Sequence, residues 1–324
     1  AGSWGTAFAL LLARRGLSVR LWVREPDILR ELERSRVNST FLPGFPLPEG
    51  VTFHNDFQEA LKGSSFLFVA VPSPYCRSVY TEMKPCLKPE QTVVSLTKGI
   101  EEGSLKRMSE VMEEIFDGGR RPSTAVLSGP SFAAEVAAGL PTAVVAAGSS
   151  PPVAVAVQRL VSGPLFRVYT SADLVGVELA GAVKNIIAIA AGFSDALGYG
   201  HNARAALLTR GLAETVRLGL RCGARPETFS GLAGMGDLIL TCTGDLSRNR
   251  KLGLEMGRGR LLDEITSETS MVAEGLPNSL SAIDLARRLG VEMPIGEMVY
   301  RVLYRGLDPR EALRELMSRS LKEE

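Results

Sequence analysis

Residues 173–200 read DLVGVELAGAVKNIIAIAAGFSDALGYG, and this stretch decides how the second half of the chain folds. Between Leu174 and Ala191 nearly every residue is apolar or small, and the interruptions are Glu178, Lys184 and Asn185. A helix that is apolar on all sides is a buried helix. The charges in its middle make it a poor membrane span. The stretch therefore predicts a helix in the core of a folded domain.

Lys184 is the conspicuous residue of this helix, because a buried ammonium group is costly unless something compensates it. None of the neighbours three and four positions away can neutralise the charge: these are Ala180, Gly181, Ile187 and Ala188. Lys184 therefore either reaches water along its own stem or points into a polar cleft, where the small residues on its face leave room for a ligand. The second reading makes it a candidate functional residue.

Length and composition limit the class of protein and the kinds of partner that the chain can have. The chain has 324 residues, of which 45% are hydrophobic and 23% charged, which is enough for two soluble domains. A formal net charge of +1 and an aromatic content of 6% give no indication of a nucleic-acid partner. No segment has the purity of a transmembrane helix or the pattern of a signal peptide, so we expect no membrane span.

The residues that usually bind metals are sparse. The four cysteines show neither metal-binding nor redox spacing: they are Cys76, Cys86, Cys222 and Cys242. We expect free thiols in a reducing cytoplasm. His54 and His201 lie far apart and give little basis for a zinc site or a Ser-His-Asp triad, so no metal is expected.

Residues 1–23 read as the second half of a βαβ dinucleotide-binding unit. Gly2 and Gly5 match the last two glycines of a G-x-G-x-x-G turn, a helical pattern runs to Arg15, and residues 18–23 alternate as a strand. Glycine lets the backbone approach a pyrophosphate, which rests on the helix N-terminus. The first strand and the first glycine of such a unit are absent, and we expect the sequence to be incomplete at its start.

The residue at the tip of that strand usually selects the cofactor. An acidic residue there would bind the ribose hydroxyl of NAD, whereas this chain has Arg24, which suits the 2′-phosphate of NADP. Glu25 follows at once, so the sequence favours NADP(H) and leaves NAD(H) open. A solvated arginine at a strand end is the plainer interpretation.

Strands and helices continue to alternate as far as residue 171. We predict strands at 66–72, 92–97, 124–128, 142–147 and 166–169, and helices at 27–36, 104–116 and 151–161. Lys98 follows the second of these strands, and Ser131 follows the third, near the start of a short helix. Polar residues at the carboxyl edge of a parallel sheet are placed for ligands, although an exposed lysine and a helix cap are the alternatives.

From residue 173 onward the chain reads as helix. We therefore predict a dinucleotide-binding domain over residues 1–172 and an all-helical substrate domain over residues 173–324. The fold class is α/β, with a Rossmann-type parallel sheet in the first domain.

Two polar groups in the second half suit a phosphorylated ligand. Asp237 and Thr241 follow a glycine-rich stretch and lie four positions apart, so they share one helix face. A hydroxyl, a guanidinium and an amide then come in three consecutive residues, Ser247, Arg248 and Asn249. That set suits a phosphate, and a surface helix cap is the alternative.

Together these motifs resemble those of the bacterial-type NAD(P)-dependent glycerol-3-phosphate dehydrogenase family. The matching segments follow the family's order over most of the chain: residues 2–7, 97–99, 128–133, 183–186, 231–238, 247–249 and 274–275. The resemblance implies a Rossmann domain and a helical domain with the active site between them. It implies interconversion of sn-glycerol 3-phosphate and dihydroxyacetone phosphate for glycerophospholipid synthesis, and a homodimer.

The resemblance also implies roles for individual residues. Lys184 would be the proton acceptor. Contacts with the dinucleotide would come from Ser3, Trp4, Arg24, Lys98, Ala133, Arg248, Val272 and Glu274. Contacts with the substrate would come from Lys98, Gly129, Ser131, Lys184, Asp237, Ser247, Arg248 and Asn249. Supporting positions would be Gly2, Gly5, Asn185 and Thr241. We further expect Lys98 to lower the pKa of Lys184, and Asp237 and Asn185 to orient its amine.

Two other functions stay open at this point. Another two-domain NADP-dependent reductase, of the hydroxyacid or ketopantoate type, would also pair a Rossmann domain with a helical domain and a lysine. The set at residues 247–249 argues instead for a phosphorylated substrate. A non-catalytic NADP-binding regulator is the third reading, but it would not need to keep Lys98, Lys184 and Asp237 together.

Overall fold

The computed structural model describes residues 1–118, 121–268, 272–321 and 323 of the chain. By contacts between residues the chain forms two compact units. The first comprises Ala1–Thr97 and Lys106–Val177, and the second comprises Lys98–Leu105 and Glu178–Glu324. The division by contacts thus assigns Lys98 to the second unit. The domain boundary between residues 172 and 173 stays a prediction.

The first unit alternates short strands with helices. Its strands are β1 (Val19–Trp22), β2 (Val51–His54), β3 (Phe66–Val69), β4 (Thr92–Ser95), β5 (Ser123–Ser128), β6 (Thr142–Gly148) and β7 (Phe166–Ser171). Its helices are α1 (Ser3–Arg14), α2 (Pro26–Ser35), α3 (Phe57–Leu61), α4 (Cys76–Met83), α5 (Met108–Phe116), α6 (Ala133–Ala138) and α7 (Pro151–Val161). The sequence analysis did not predict β2, α3 or α4, which are too short for a clear periodicity.

The strands form two sheets, β1–β2 and β3–β4–β5–β6–β7. Every pair is parallel except β5–β6, in which Ala125 lies opposite Gly148 and Ser128 opposite Val145. The six-residue helix α6 between them is only about 9 Å long, whereas the six-residue strand β5 spans about 20 Å. The connection therefore does not carry the chain back along β5. The sheet is Rossmann-like and mostly parallel, with this one antiparallel pair.

Helix α1 contributes to the cores of both sheets. Phe8 and Leu12 pack with buried apolar residues of β4, β5, β6 and β7. Ala7 and Leu10 pack with buried residues of β1, α2 and β2. The backbone nitrogen of Ala1 donates to the carbonyl oxygen of Trp22 at 3.0 Å. These contacts hold the first turn of α1 beside the carboxyl end of β1.

Helix α5 begins later than predicted, at Met108 rather than at residue 104. Leu105 has a φ of 60° and Gly103 a φ of 79°, both in the left-handed region that an α-helix cannot use. The carboxylate of Glu110 accepts a hydrogen bond from the amide of Arg107 at 2.8 Å and so caps the helix at its observed start.

The second unit is helical. Its helices are α8 (Leu174–Ala196), which begins in the first unit, α9 (Gly200–Arg221), α10 (Pro226–Ser230), α11 (Asp237–Thr243), α12 (Arg248–Gly257), α13 (Leu262–Ser267), α14 (Gly275–Leu289), α15 (Pro294–Arg305) and α16 (Pro309–Met317). A π-helical turn, Leu232–Gly236, leads directly into α11.

Helix α8 is the buried helix that the sequence predicted. All residues from 176 to 194 are buried. The helix has the length of a membrane span and a mean hydropathy of 1.7, but 83% of its most apolar window is buried inside the structure. A mostly buried helix of this kind is the pattern of a core helix.

Helices α8 and α12 cross with their backbones in contact. A Cβ added at Gly253 would overlap the carbonyl oxygen of Ile189, and one added at Gly192 would overlap that of Arg250. Glycine at both positions therefore lets α12 lie directly on the helix that carries Lys184.

We expect the Gly253→Ala substitution to lower the free energy of unfolding by about 2–3 kcal/mol, because the added methyl group can only be accommodated by moving two backbones apart. Gly50→Ala is the matched control, since a Cβ there would meet no atom within 4 Å. Urea-induced unfolding followed by circular dichroism measures both. Equal stability of the two variants would contradict the close helix crossing.

Candidate active site

The N-terminus of α1 has the features of an anion-binding turn. Gly2 is its N-cap, no side chain caps it, and a Cβ added at Gly2 would meet no atom within 4 Å. The first-turn amides, including those of Ser3 and Trp4, have no intrahelical acceptor and carry the positive end of the helix dipole. Gly5 is different, because a Cβ there would lie 3.5 Å from that of Ala70, an ordinary contact.

Helix α6 lies against α1 and brings a second group of predicted residues nearby. Trp4 and Ala133 pack on the same apolar cluster, and the guanidinium of Arg14 donates to the carbonyl oxygen of Ala137 at 2.6 Å. Gly129 and Ser131 lie in the turn between β5 and α6. The Ser131 hydroxyl donates to the Gly129 carbonyl oxygen at 2.9 Å.

Arg24 directly follows Val23 at the end of β1 and is exposed. Its Nε and Nη2 atoms donate to Oε1 of Glu25 at 3.0 and 2.7 Å. Its guanidinium also lies 5.6 Å from the ring centroid of Tyr75, which is within the range of a cation–π contact. Sequence analysis passed over Tyr75. An exposed aromatic residue shortly after a buried strand is the signal that could have found it.

Asp237 lies between two lysines in the second unit. Its Oδ1 accepts a short hydrogen bond from Nζ of Lys184, and its Oδ2 accepts one from Nζ of Lys98 at 2.7 Å. Lys184 also donates to Oγ1 of Thr241 at 2.8 Å, and that hydroxyl donates to the carbonyl oxygen of Asp237 at 2.6 Å. Lys184 therefore does not reach water along its stem. Its partners come from α11, 53 and 57 positions away.

Burial and charge together set the protonation of this cluster. Side-chain exposure is 1% for Asp237, 8% for Lys184 and 18% for Lys98. One carboxylate balances only one ammonium group, so the more buried lysine is the one driven toward the neutral form. Burial, the largest cause, and the charge of Lys98 together lower the pKa of Lys184 to about 7, against the pull of the Asp237 carboxylate.

The two lysines also change the pKa of Asp237. Burial by itself would raise the pKa of this carboxyl group, but the neighbouring ammonium groups of Lys184 and Lys98 outweigh it and the pKa is lowered. Asp237 is thus held as a carboxylate. Cys242 is also buried nearby, and burial raises the pKa of its thiol to about 12, which keeps that thiol protonated and uncharged.

Asn185 has a different role from the one expected. Its amide nitrogen donates to the carbonyl oxygens of Lys98 and Gly181, both at 3.3 Å, and its Oδ1 accepts from Nδ2 of Asn249 at 2.8 Å. Neighbouring residues on a helix point about 100° apart, so the side chains of Lys184 and Asn185 face different partners. Within the described ranges Asn185 contacts the backbone of Lys98 instead of the amine of Lys184.

The three consecutive residues 247–249 point to different partners. The hydroxyl of Ser247 caps α12 by accepting from the amide of Arg250 at 3.2 Å. Oδ1 of Asn249 accepts from the amide of Gly275 at 2.9 Å, so both polar ends of this buried side chain are engaged. Arg248 is exposed at the start of α12. Ser247 and Asn249 are buried, so Arg248 is the exposed residue of the three.

The remaining predicted cofactor residues lie just before α14. Glu274 is the N-cap of α14, and its carboxylate interacts electrostatically with the guanidinium of Arg248. Val272 is half-buried. Both belong to the second unit, as do Lys98 and Arg248.

Comparison with known proteins identifies the family. The family model described as NAD-dependent glycerol-3-phosphate dehydrogenase N-terminus matches residues 1–154, and the corresponding C-terminus model matches residues 173–314. A "Glycerol-3-phosphate dehydrogenase [NAD(P)+]" of Geobacter sulfurreducens is 54% identical over 324 residues, which is 100% of this chain and 97% of the relative. This chain belongs to the NAD-dependent glycerol-3-phosphate dehydrogenase family. A Citrifermentans bemidjiense protein of the same name is 55% identical with the same coverage.

Solved structures agree with membership of the dehydrogenase family. The crystal structure of glycerol-3-phosphate dehydrogenase from Coxiella burnetii has a TM-score of 0.94 and 44% identity, covering 98% of this chain and 97% of that one. A ketopantoate reductase from Ralstonia eutropha has a TM-score of 0.61 at 16% identity, which is a likeness of fold alone. The family match therefore favours the dehydrogenase over the ketopantoate-type reductase.

Two buried asparagines of this family member were missed by sequence analysis. Nδ2 of Asn38 donates to the carbonyl oxygen of Ala1 at 2.8 Å and to Oγ1 of Thr6 at 3.0 Å, which ties a loop to the start of α1. Asn278 donates to the carbonyl oxygen of Lys98 at 2.8 Å. Asn38 begins the polar run Asn38-Ser39-Thr40 and Asn278 is followed by Ser279, so both read as ordinary polar positions and nothing in one sequence marked them as buried. Among the described residues, no group of three or more His, Cys, Asp or Glu could hold a metal ion.

Proposed function

We propose that this chain interconverts sn-glycerol 3-phosphate and dihydroxyacetone phosphate by hydride transfer with NAD(P), and so supplies glycerol 3-phosphate for glycerophospholipid synthesis. The observation that carries the proposal is the buried arrangement of Lys184, Asp237 and Lys98 in a member of this dehydrogenase family. The arrangement gives an amine that changes its protonation state near neutral pH, which is what a reversible alcohol oxidation requires.

Lys184 is the proton acceptor in this proposal. A neutral amine has two N–H bonds and one lone pair, and the two N–H bonds point to Asp237 and Thr241. The lone pair is then directed away from both partners and takes the proton of the C2 hydroxyl as the alcohol becomes a ketone. In the reverse direction the ammonium form returns that proton to the developing alkoxide. Asp237 fixes the direction of the amine without itself being protonated.

The dinucleotide fits the residues of the first unit. The first turn of α1, which no side chain caps and where a Cβ added at Gly2 would meet no atom within 4 Å, suits a pyrophosphate. When bound, the nicotinamide supplies the chemistry of hydride acceptance and donation. Its binding surface would be lined by Ser3, Trp4 and Ala133. Contacts with the dinucleotide are also expected from Lys98, Arg248, Val272 and Glu274. The guanidinium of Arg24 favours NADP(H), whereas its contact with Glu25 keeps NAD(H) acceptable.

Arg248 and the N-terminus of α12 would hold the substrate phosphate. The guanidinium supplies a forked cationic donor, and the first-turn amides of a ten-residue helix add the dipole. Asn249 and Ser247 are engaged by protein partners, so we assign them to fixing the start of α12 and not to a direct side-chain contact. Gly129 and Ser131 stay predicted substrate contacts. Holding the phosphate orients the C2 alcohol.

Compartment and assembly are separate proposals. No disulfide joins any of the four cysteines, Cys76, Cys86, Cys222 and Cys242, which supports a reducing compartment such as the cytoplasm. A homodimer is implied by the resemblance and stays a prediction.

The decisive test follows NADPH and NADH absorbance with three substrates in parallel. We expect oxidation with dihydroxyacetone phosphate, and little with dihydroxyacetone, which lacks the phosphate, or with ketopantoate. A preference for ketopantoate would move the assignment to the other reductase class. Binding of NADPH with no turnover of any of the three would indicate the non-catalytic regulator.

The phosphate contact yields a second prediction. We expect Arg248→Ala to lower kcat/KM for dihydroxyacetone phosphate by about 10- to 100-fold, because a charge-assisted hydrogen bond to phosphate is worth roughly 1.5–3 kcal/mol. Arg258→Ala, at the other end of the same helix, should leave it unchanged. The unphosphorylated ketone should be affected equally little by both substitutions. A uniform loss on both ketones would argue against phosphate recognition by Arg248.

A further inference from the structure

Asn278 is a wholly buried polar side chain that the mechanism above does not use. It lies on α14 with 0% exposure. Its Nδ2 donates to the carbonyl oxygens of Lys98 at 2.8 Å and Ala182 at 3.3 Å, and its Oδ1 accepts from the amide of Ile100 at 3.2 Å. One side chain thus joins α14, α8 and the segment Lys98–Ile100. Burying an amide side chain costs free energy unless its polar atoms form hydrogen bonds. Both polar atoms of Asn278 do so.

The segment that carries Lys98 depends on such side chains for its position. After β4 ends at Ser95, residues 96–99 belong to no helix or strand, and the last backbone hydrogen bond toward β3 is that of the Leu96 amide to the carbonyl oxygen of Val69 at 2.9 Å. The carbonyl oxygen of Lys98 instead accepts from two side-chain amides, Asn185 at 3.3 Å and Asn278 at 2.8 Å. The shorter of the two comes from Asn278, which also holds the backbone on the other side of Gly99 through Ile100. Asn278 therefore holds the backbone on both sides of Gly99, directly after Lys98.

The position of Lys98 matters because its charge acts on Lys184. The groups that face the Lys184 amine are Asp237 and Thr241 from α11, Lys98 from the loop, and the un-ionised thiol of Cys242. Lys98 supplies the one positive charge among them. If Lys98 moves away, Asp237 is left to pair with Lys184 alone, and the ammonium form of Lys184 becomes more stable.

We propose that Asn278 is a positioning residue that holds the Lys98 ammonium group on Asp237 and thereby keeps a positive charge beside the amine of Lys184. The proposal rests on the function proposed above and deepens it. Asn278 touches neither substrate nor cofactor in this account and acts through the backbone of Lys98.

The test is the pH dependence of kcat/KM for oxidation of sn-glycerol 3-phosphate. In Asn278→Ala we expect the ionisation that controls the acid limb to move up by about one pH unit, because the like charge that lowers it is no longer held in place. Ser281→Ala is the matched control: it removes another buried polar group from α14, one that donates only to the carbonyl oxygen of Pro277. The control should keep the wild-type profile.

A double variant separates positioning from general damage. If Asn278 acts through Lys98, adding Asn278→Ala to Lys98→Ala should produce no further shift beyond that of Lys98→Ala alone. A lowered kcat with an unmoved ionisation in Asn278→Ala would reduce the residue to a structural role and overturn the proposal. A shift that is fully additive with Lys98→Ala would overturn it as well.

A second measurement does not depend on turnover. Titration of 13C-labelled lysine side chains by NMR, with the Lys184 signal assigned from Lys184→Met, reports its ionisation in the folded protein. Asn278→Leu, which keeps the volume of the side chain, serves if the alanine variant fails to fold. An upward shift in these spectra supports the proposal even if glycerol phosphate proves not to be the substrate, and an unchanged Lys184 titration rejects it.

Discussion

Replacing Lys184 with alanine is expected to lower kcat in both directions by about 10²–10⁴-fold, the usual contribution of a positioned proton acceptor. The substitution removes the amine proposed to take the C2 proton, while the residues of the first unit that are proposed to bind the dinucleotide are untouched. NADPH binding, measured by fluorescence, should therefore change little. Turnover is measured from NADPH absorbance with dihydroxyacetone phosphate.

The control for this experiment is Lys251→Ala, which removes an exposed lysine from α12 and should retain full activity. Residual turnover of Lys184→Ala within about tenfold of wild type would mean that another group transfers the proton. A loss of NADPH affinity as large as the loss of kcat would instead indicate that the substitution disturbed the fold.

The pH dependence of wild-type activity should report the ionisation of the Lys184 amine. Because the pKa of Lys184 is lowered to about 7, the neutral form that oxidation requires accumulates as the pH rises through 7. We therefore expect kcat/KM for oxidation to rise up to that point and then level off. The reduction needs the ammonium form, so its rate should fall above the same pH. Opposite slopes around neutrality are the expected signature.

Among the substitutions proposed here, removal of the Asp237 carboxylate should lower the free energy of unfolding the most. Asp237→Ala leaves two lysines without their shared counter-charge, and breaking a buried ion pair from one side costs about 3–5 kcal/mol. Without the carboxylate, burial should make the amine of Lys184 still easier to deprotonate. We therefore expect the deficit in unfolding free energy to be largest below pH 7, where Lys184 of the wild type is an ammonium ion, and to shrink as the pH rises through about 7.

Urea-induced unfolding at mildly acidic and at mildly alkaline pH, on either side of the pKa of Lys184, measures this deficit. The matched control is Asp245→Ala, because Asp245 pairs with Arg250 but its side chain is 96% exposed. That change should cost less than about 1 kcal/mol at either pH. The wild-type protein itself should gain stability as pH rises from about 7 to 10.5, because across that window the unfolded chain binds more protons at Lys184 than the folded chain does. A deficit of Asp237→Ala that does not vary with pH would contradict the ion-pair explanation.

Much of the fold follows from local patterns in the sequence. The apolar run of α8 predicts a buried helix because no face of it could be left in water. The observed bounds of α7, Pro151–Val161, agree with the predicted helix, since proline is suited to the first turn and the apolar spacing continues behind it. The family itself was recognisable from short motifs in order. These features depend on residues within one or two turns of each other.

The position of the antiparallel strand pair and the start of α5 did not follow from such patterns. Strand β6 runs against β5 because the helix between them is short, and α5 begins only after Leu105 adopts a left-handed backbone. Periodicity of 2 or 3.6 residues indicates which face of an element is buried, but not the direction in which a neighbouring strand returns.

For the candidate site, too, some features followed from the sequence and others depended on the tertiary structure. The sequence by itself determined that Lys184 would lie on a buried helix without a counter-charge on that helix, and that Ser247, Arg248 and Asn249 would form a polar group suited to a phosphate. Only the tertiary structure decided that Asp237 bridges Lys184 and Lys98, and that Asn278 holds Lys98 from 180 positions away. Hydrogen bonds over such separations depend on how helices pack, and packing is a property of the whole unit that a local pattern does not contain.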